Sequence, residues 1–456
     1  MPKNGLFIFR RDLRIVDNSA LNLLSGCSRV YTIFIFTSEQ VKKNKFKNRN
    51  AVHFMIESLE DLAGNIRRAG GKLHTFYGDN EAVIRTCITA FNIDAVAFNT
   101  DITAYAKKRD ASIIKLCRTL GVSTLTCSDY YLHDFDKIVS SSGDHYKKFS
   151  PYYSKAKRLR VADPTTKRVK FATGTNDNSK IGLNAALAKF ARGVSSRILS
   201  RMISRILSGG RHAAIAAMST ASKQTYCHDD LSKETSKLSA YIKFGCISIR
   251  EVYKKFKSVR KFIRQLYWRD FYAQLLYYNP YVLHGAMRTA YKRLRWENNA
   301  RWFNAWCAGK TGFPVVDAGM RELNTTGYMH NRARLITCCF LIKTLLIDWR
   351  KGEKYFASML TDYDPASNNG NFQWVASTGA DSQPYFRIFN PWRQSKKCDP
   401  QCLYIKKYIP ELADVPPRDI HNWDTMHSKY DVYITPICDY EKQTKKALKM
   451  YRAIRV

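Results

Sequence analysis

Between Gly5 and Cys127, short apolar runs rich in β-branched and aromatic residues alternate with longer segments of helical spacing. The runs are GLFIFR, RVYTIFIF, KLHTFY, DAVAF and VSTLT; AVHFMIESLEDLAGNIRRAG, from Ala51, is typical of the segments between them. Strand-length apolar runs joined by amphipathic helices need crossover connections, so the pattern predicts a doubly wound parallel sheet. From Gly209 to the C-terminus the periodicity is helical instead. The expected architecture is a Rossmann-like α/β domain over 1–130, a connector over 131–208 and an all-α domain over 209–456. No Gly-x-Gly-x-x-Gly follows the first strand, so a dinucleotide site of the usual dehydrogenase type is not supported. The strand runs instead into RRDLRIVDNSAL, whose Arg10, Arg11, Asp12, Arg14 and Asp17 read first as an ion-paired strand end.

Composition adds a partner to this picture. The 456 residues are 45% hydrophobic, enough for two cores. Lys and Arg number 75 against 38 acids, a formal net charge of +37. Nucleic acid is the commonest partner for such a surplus; an acidic membrane surface or simple solubility would also account for it. The twelve cysteines include no Cys-x-x-Cys pair, which argues against zinc and against a disulfide framework. The first residues have too short an apolar run for a signal peptide, and no stretch reaches membrane-spanning length. A soluble intracellular monomer is expected, cytoplasmic or nuclear, with no metal and no membrane partner.

Several segments carry candidate chemistry. DYDPASNNGNFQW, from Asp362 to Trp374, gathers acids, amides, a glycine and a large aromatic in an otherwise basic chain. Its Pro365, Asn368, Asn369 and Gly370 predict a loop or a broken helix end. Alone, that is a surface turn; followed by VASTGADSQPYFRIFNPWRQSKK, it suits a flat heteroaromatic ligand. TSKLSAYIKFG, from Thr235, places hydroxyls ahead of a helical pattern, which is either ordinary capping or an anion site for a pyrophosphate. QLYWRDFY puts Gln265, Trp268, Arg269 and Tyr272 on a helix, where a Trp and a Gln one turn apart can stack on a base and bond its edge, or simply pack. All eight tryptophans lie from Trp268 onward. The charge run VKKNKFKNRN reads as a solvated loop, GTNDNSK from Gly174 as a linker, and the SRILS repeat from Ser196 as an amphipathic helix.

Taken together and in order, these motifs resemble the photolyase and cryptochrome family, most closely class I cyclobutane pyrimidine dimer photolyases. The resemblance implies FAD in the helical domain. Tyr226, Thr235, Ser236, Lys237, Leu238 and Ser239 would form its phosphate loop, with Arg269, Arg334, Asp362, Asp364 and Asn368 around the rest. By the same resemblance His330, Asn331, Arg332 and Arg334 line the pocket, Arg334 pairs with Asp362, and Asn368 faces N5. Gln265, Trp268, Asn331 and Trp374 would meet a dimer flipped out of damaged DNA, and excited reduced FAD would give it an electron. The alternatives are a (6-4) photolyase, which Gln265 resembles but which carries histidines where Asn331 and Leu335 stand, and a cryptochrome-type photoreceptor. Asn at position 368 is the photolyase choice. A second antenna chromophore is implied, its identity open; Tyr105 and Ala106 stand where folate-binding members carry Asn-Glu, against methenyltetrahydrofolate. The family's three-tryptophan relay maps onto Trp296, Trp349 and position 372, which is Phe, so the proximal step is broken.

Overall fold

The computed structural model describes residues 3–41, 48–173, 189, 207–223 and 227–454. Tyr226, the linker from Gly174 and the SRILS repeat lie outside them, as does the centre of the Val41 charge run. The chain divides into two compact units, Met1–Gln224 with Ser236–Pro280, and Thr225–Thr235 with Tyr281–Val456.

The first unit is built on five parallel strands: β1 (Asn4–Phe9), β2 (Arg29–Phe36), β3 (Leu73–Tyr77), β4 (Ala95–Asn99) and β5 (Ser123–Cys127). Their order is β3-β2-β1-β4-β5, with Gly5 opposite both Val30 and Ala95. Every expected strand forms within one residue of its apolar run. The inner strands show no polar alternation because helices cover both faces of a parallel sheet. Phe7, Phe9, Phe34 and Phe36 are each at most 1% exposed, and each contributes about 1.5–3 kcal/mol by burial. Helices Arg49–Arg68, Asn80–Phe91 and Ala104–Thr119 supply the crossovers. Asn48, Asp79 and Thr103 cap them, each accepting a backbone N–H of the first turn.

The cluster after β1 is an ion-paired strand end. Arg10 reaches Asp110 at 2.6 Å and Arg11 reaches Asp101 at 3.3 Å. Arg14 binds Asp129, and Arg250 bridges Asp129 and Asp17 at 2.7 and 2.9 Å. Gly209 and Gly210 dock on the Arg49–Arg68 helix through Glu57 and Ser58. A Cβ on Gly209 would fall 2.4 Å from the Phe54 carbonyl oxygen, so only glycine fits there. Helices Arg211–Lys223, Ser239–Phe244, Ile249–Phe256 and Arg260–Tyr278 belong to this same unit.

The second unit is helical. Its core is centred on the helices Pro314–Thr326 and Asn331–Lys343, packed with Trp306, Phe340, Trp349, Phe356, Phe372 and Trp423, all at most 3% exposed. The indoles that are fully enclosed keep a polar partner: Trp306 donates to the Thr337 carbonyl and Trp423 to that of Ile434. Among the described residues, no helix is long and apolar enough to cross a membrane.

Candidate functional site

The site in the second unit starts from Asp362 to Trp374, and the loop expected there does not form. Pro365–Val375 is a continuous helix whose N-cap is Asp364, with Oδ1 accepting the Ser367 N–H at 3.0 Å. Pro365 sits where its missing N–H costs nothing. Buried Gln373 ties this turn down: it donates to Asn369 Oδ1 within the helix at 2.9 Å and to the Val282 carbonyl of another segment at 3.0 Å. Turn propensity loses to that network.

Just ahead of this helix stands buried Asp362. Arg334, on the first turn of Asn331–Lys343, gives it two contacts from Nη2, at 2.9 and 3.2 Å. Arg334 Nε donates to the Met329 carbonyl at 2.8 Å, and its guanidinium carbon lies 5.3 Å from the Tyr328 ring centre. Burial alone would lower the guanidinium's pKa; Asp362 and Tyr328 outweigh it and hold the pKa above its ordinary value. Tyr328 is buried, and its hydroxyl lies 2.5 Å from Thr235 Oγ1. His330 caps the Arg334 helix, with Nδ1 accepting the Arg332 N–H at 3.1 Å, while its buried Nε2 has no partner among the described residues. Burial and the neighbouring Arg334 bring this imidazole down to about 4, so it is neutral at physiological pH. Arg332 pairs with Asp229, and Asn331 is exposed.

Asn368 is turned inward. Its amide donates to the Glu353 carbonyl at 3.1 Å and to Glu353 Oε1 at 3.0 Å. Burial pushes the Glu353 carboxyl above its usual range, partly offset by Asn368. The sequence reading missed Glu353 and Tyr328. No local signal marks either: Glu353 lies fifteen residues before Asn368, and both gain their roles from tertiary contact. Of the expected relay, Trp349 is buried at a helix start and Trp296 meets Tyr451 edge-on at 6.3 Å. Phe372 lies edge-on to Phe356 at 5.1 Å and tight against Gly352, where a Cβ would fall 2.8 Å from its ring. Trp374 is half-buried against the core.

In the first unit, the Arg260–Tyr278 helix brings Gln265, Trp268 and Arg269 together. Trp268 is half-buried, with one face stacked on Phe149 at 3.7 Å and 7°. Arg269 pairs with Asp270 at 2.8 Å and lies 4.9 Å from the Tyr131 ring centre. Ser236, Lys237 and Leu238 lead into the Ser239–Phe244 helix as expected, Lys237 in the left-handed region at φ 51°.

A guanidinium paired to a carboxylate, with an amide nearby on the same scaffold, is chemistry for a ring that both donates and accepts hydrogen bonds. Arg334 Nη1 and Asn368 Oδ1 have no partner among the described residues, so a donor and an acceptor remain for a ligand. This donor set, on a helical unit that accompanies a Rossmann-like sheet, defines a two-domain flavin-binding protein, and the residues fit FAD. Known proteins agree. Residues 6–169 match the DNA photolyase family model, and residues 262–453 match the FAD binding domain of DNA photolyase. A deoxyribodipyrimidine photo-lyase of Alkalihalophilus pseudofirmus is 33% identical, with 97% of each chain covered. The structure of an archaeal photolyase from Sulfolobus tokodaii with two FAD molecules is 38% identical at a TM-score of 0.87, covering 99% of this chain and 100% of that one. A class III photolyase from Agrobacterium tumefaciens gives 29% and 0.92, covering 100% and 98%. The chain belongs to the DNA photolyase family.

Proposed function

We propose that the chain is a light-driven lyase that repairs cyclobutane pyrimidine dimers in DNA. The observation that carries this reading is the Arg334–Asp362 pair with Asn368 beside buried Glu353, a preorganised donor and acceptor set. Bound there, FAD would supply the electron for splitting the dimer when reduced and excited. The chain's own part is electrostatic and steric. Arg334 and Asp362 hold opposite charges in fixed register, Arg334 offering Nη1 to a ligand acceptor and Asn368 offering Oδ1 to a donor. The surplus of Lys and Arg would hold DNA by its phosphates. Trp268, braced by Phe149, would offer its half-buried ring to a base or dimer, and Trp374 is a further aromatic of this kind. A damaged, poorly stacked pair costs less to extrude, which adds selectivity.

The antenna proposed for the sheet unit is a second flavin. The archaeal relative, whose structure holds two FAD molecules and implicates a novel light-harvesting cofactor, supports flavin, and Tyr105 and Ala106 speak against folate. Two flavins released per chain on denaturation would support it, and one flavin would not.

The deciding experiment offers the chemically reduced flavoprotein cyclobutane thymine dimer and (6-4) photoproduct oligonucleotides separately, under blue light and in darkness. Light-dependent loss of the cyclobutane lesion alone supports the proposal. Loss of the (6-4) lesion alone, or of neither, replaces it with a (6-4) photolyase or a photoreceptor.

A further inference from the structure

Tyr328 joins two parts of the candidate site that are far apart in sequence, and it does so through different atoms. Its ring face lies under the Arg334 guanidinium, and its hydroxyl meets Thr235 Oγ1 at 2.5 Å, the short end of the O–H···O range. The backbone around it is fixed. Gly327, at φ 66°, ends the Pro314–Thr326 helix, and Thr326 Oγ1 donates to the Glu322 carbonyl at 2.7 Å and accepts the Tyr328 N–H at 3.0 Å. Two residues on, the His330 N–H is held by buried Glu322 at 2.9 Å. The tyrosine hydroxyl is therefore placed by the fold and not by its own freedom.

Only one proton lies between the two hydroxyl oxygens, so the other hydroxyl's hydrogen must go elsewhere. If Thr235 donated, the hydrogen left over would belong to Tyr328, which is buried and has no second acceptor among the described residues; an unmet buried donor costs about 1–3 kcal/mol. If Tyr328 donates, the hydrogen left over belongs to Thr235, which is half-buried and can turn it to a ligand. Burial also pushes the phenol up to about 12, so its proton is retained throughout the physiological range.

We infer that Tyr328 is a positioning residue for the phosphate end of the cofactor: its hydroxyl donates to Thr235 Oγ1 and so aims the Thr235 hydroxyl hydrogen at an anionic oxygen. The same side chain carries Arg334 on its ring, so one residue orders a hydroxyl for the phosphates and a cation for the ring system. Donation into Thr235 also strengthens the bond that Thr235 makes, because hydrogen bonds in a chain polarise one another. This inference rests on the flavin reading above.

A double-mutant cycle on the full chain tests it, with FAD dissociation followed by recovery of flavin fluorescence. Tyr328→Phe keeps the ring under Arg334 and removes the hydroxyl; Thr235→Val removes the recipient. Each single variant should weaken FAD binding about tenfold, the loss of one charge-assisted bond. The double variant should also be about tenfold weaker than wild type, because both changes break the same chain. A merely structural tyrosine would give independent losses multiplying to about a hundredfold, and that result would overturn the inference. So would Tyr328→Phe binding FAD as wild type does. Wild-type protein that retains no FAD would instead sink the flavin reading itself, and this inference with it.

Discussion

Replacing Asp362 by Asn tests whether the Arg334 pair is the electrostatic centre of the site. Asp362 has a side chain 4% exposed, and Arg334 one 27% exposed. Stripping the partner from a fully buried ion costs about 3–5 kcal/mol. Because Arg334 keeps roughly a quarter of its surface, water screens part of its stranded charge, and the asparagine keeps one carbonyl acceptor for Nη2. The expected loss is therefore about 2 kcal/mol. In a unit of this size about 1 kcal/mol shifts the midpoint by roughly 2–4 °C, so Tm should fall by about 4–8 °C. The measurement is thermal unfolding by circular dichroism with and without added FAD. Destabilisation should be larger in the FAD-bound protein, since Arg334 Nη1 loses its fixed direction as well. A midpoint within about 1 °C of wild type in both conditions would refute the reasoning, because the pair would then contribute no more than an exposed ion pair does.

Three further outcomes follow from the same geometry. Glu353→Gln should stabilise the protein near pH 8 and change little near pH 4. Its carboxyl is raised by burial, so the folded state binds the proton more tightly than the unfolded chain, and that stability is lost as pH rises through the raised value. A glutamine that leaves the pH slope of unfolding unchanged would contradict this. Phe372→Trp should speed light-driven reduction of bound oxidised flavin, at a packing cost of about 1–3 kcal/mol against Phe356 and Gly352. Transient absorption reads the rate, and rapid reduction in wild type that the variant does not improve would remove position 372 as the limiting step. Trp268→Ala should weaken binding of a dimer-bearing oligonucleotide by about 1–3 kcal/mol while leaving undamaged duplex affinity nearly unchanged. Equal loss on both DNAs in a filter-binding comparison would reduce Trp268 to a packing residue on Phe149.

What the sequence disclosed and what it hid divide along a physical line. The inner strands were legible because a parallel sheet buries both their faces, so each is a nearly continuous apolar run bounded by turns; the edge strand β5, STLTC, is partly exposed and was read from its β-branched residues. The Arg334–Asp362 pair was reached through resemblance and then found as an ion pair. The stretch from Asn368 to Gly370 was misread because two asparagines and a glycine favour a turn locally, whereas Gln373 anchors them from the next helical turn by bonding Asn369 and the carbonyls of Val282 and Gly285. Glu353 and Tyr328 were invisible for a related reason. A carboxylate in a helix or a tyrosine after a glycine has no pattern of its own; each acquires a role only when another segment sets an amide or a hydroxyl within 3 Å of it. Asn368 then carries the consequence: its Nδ2 is spent on Glu353, so Oδ1 is what remains for a ligand.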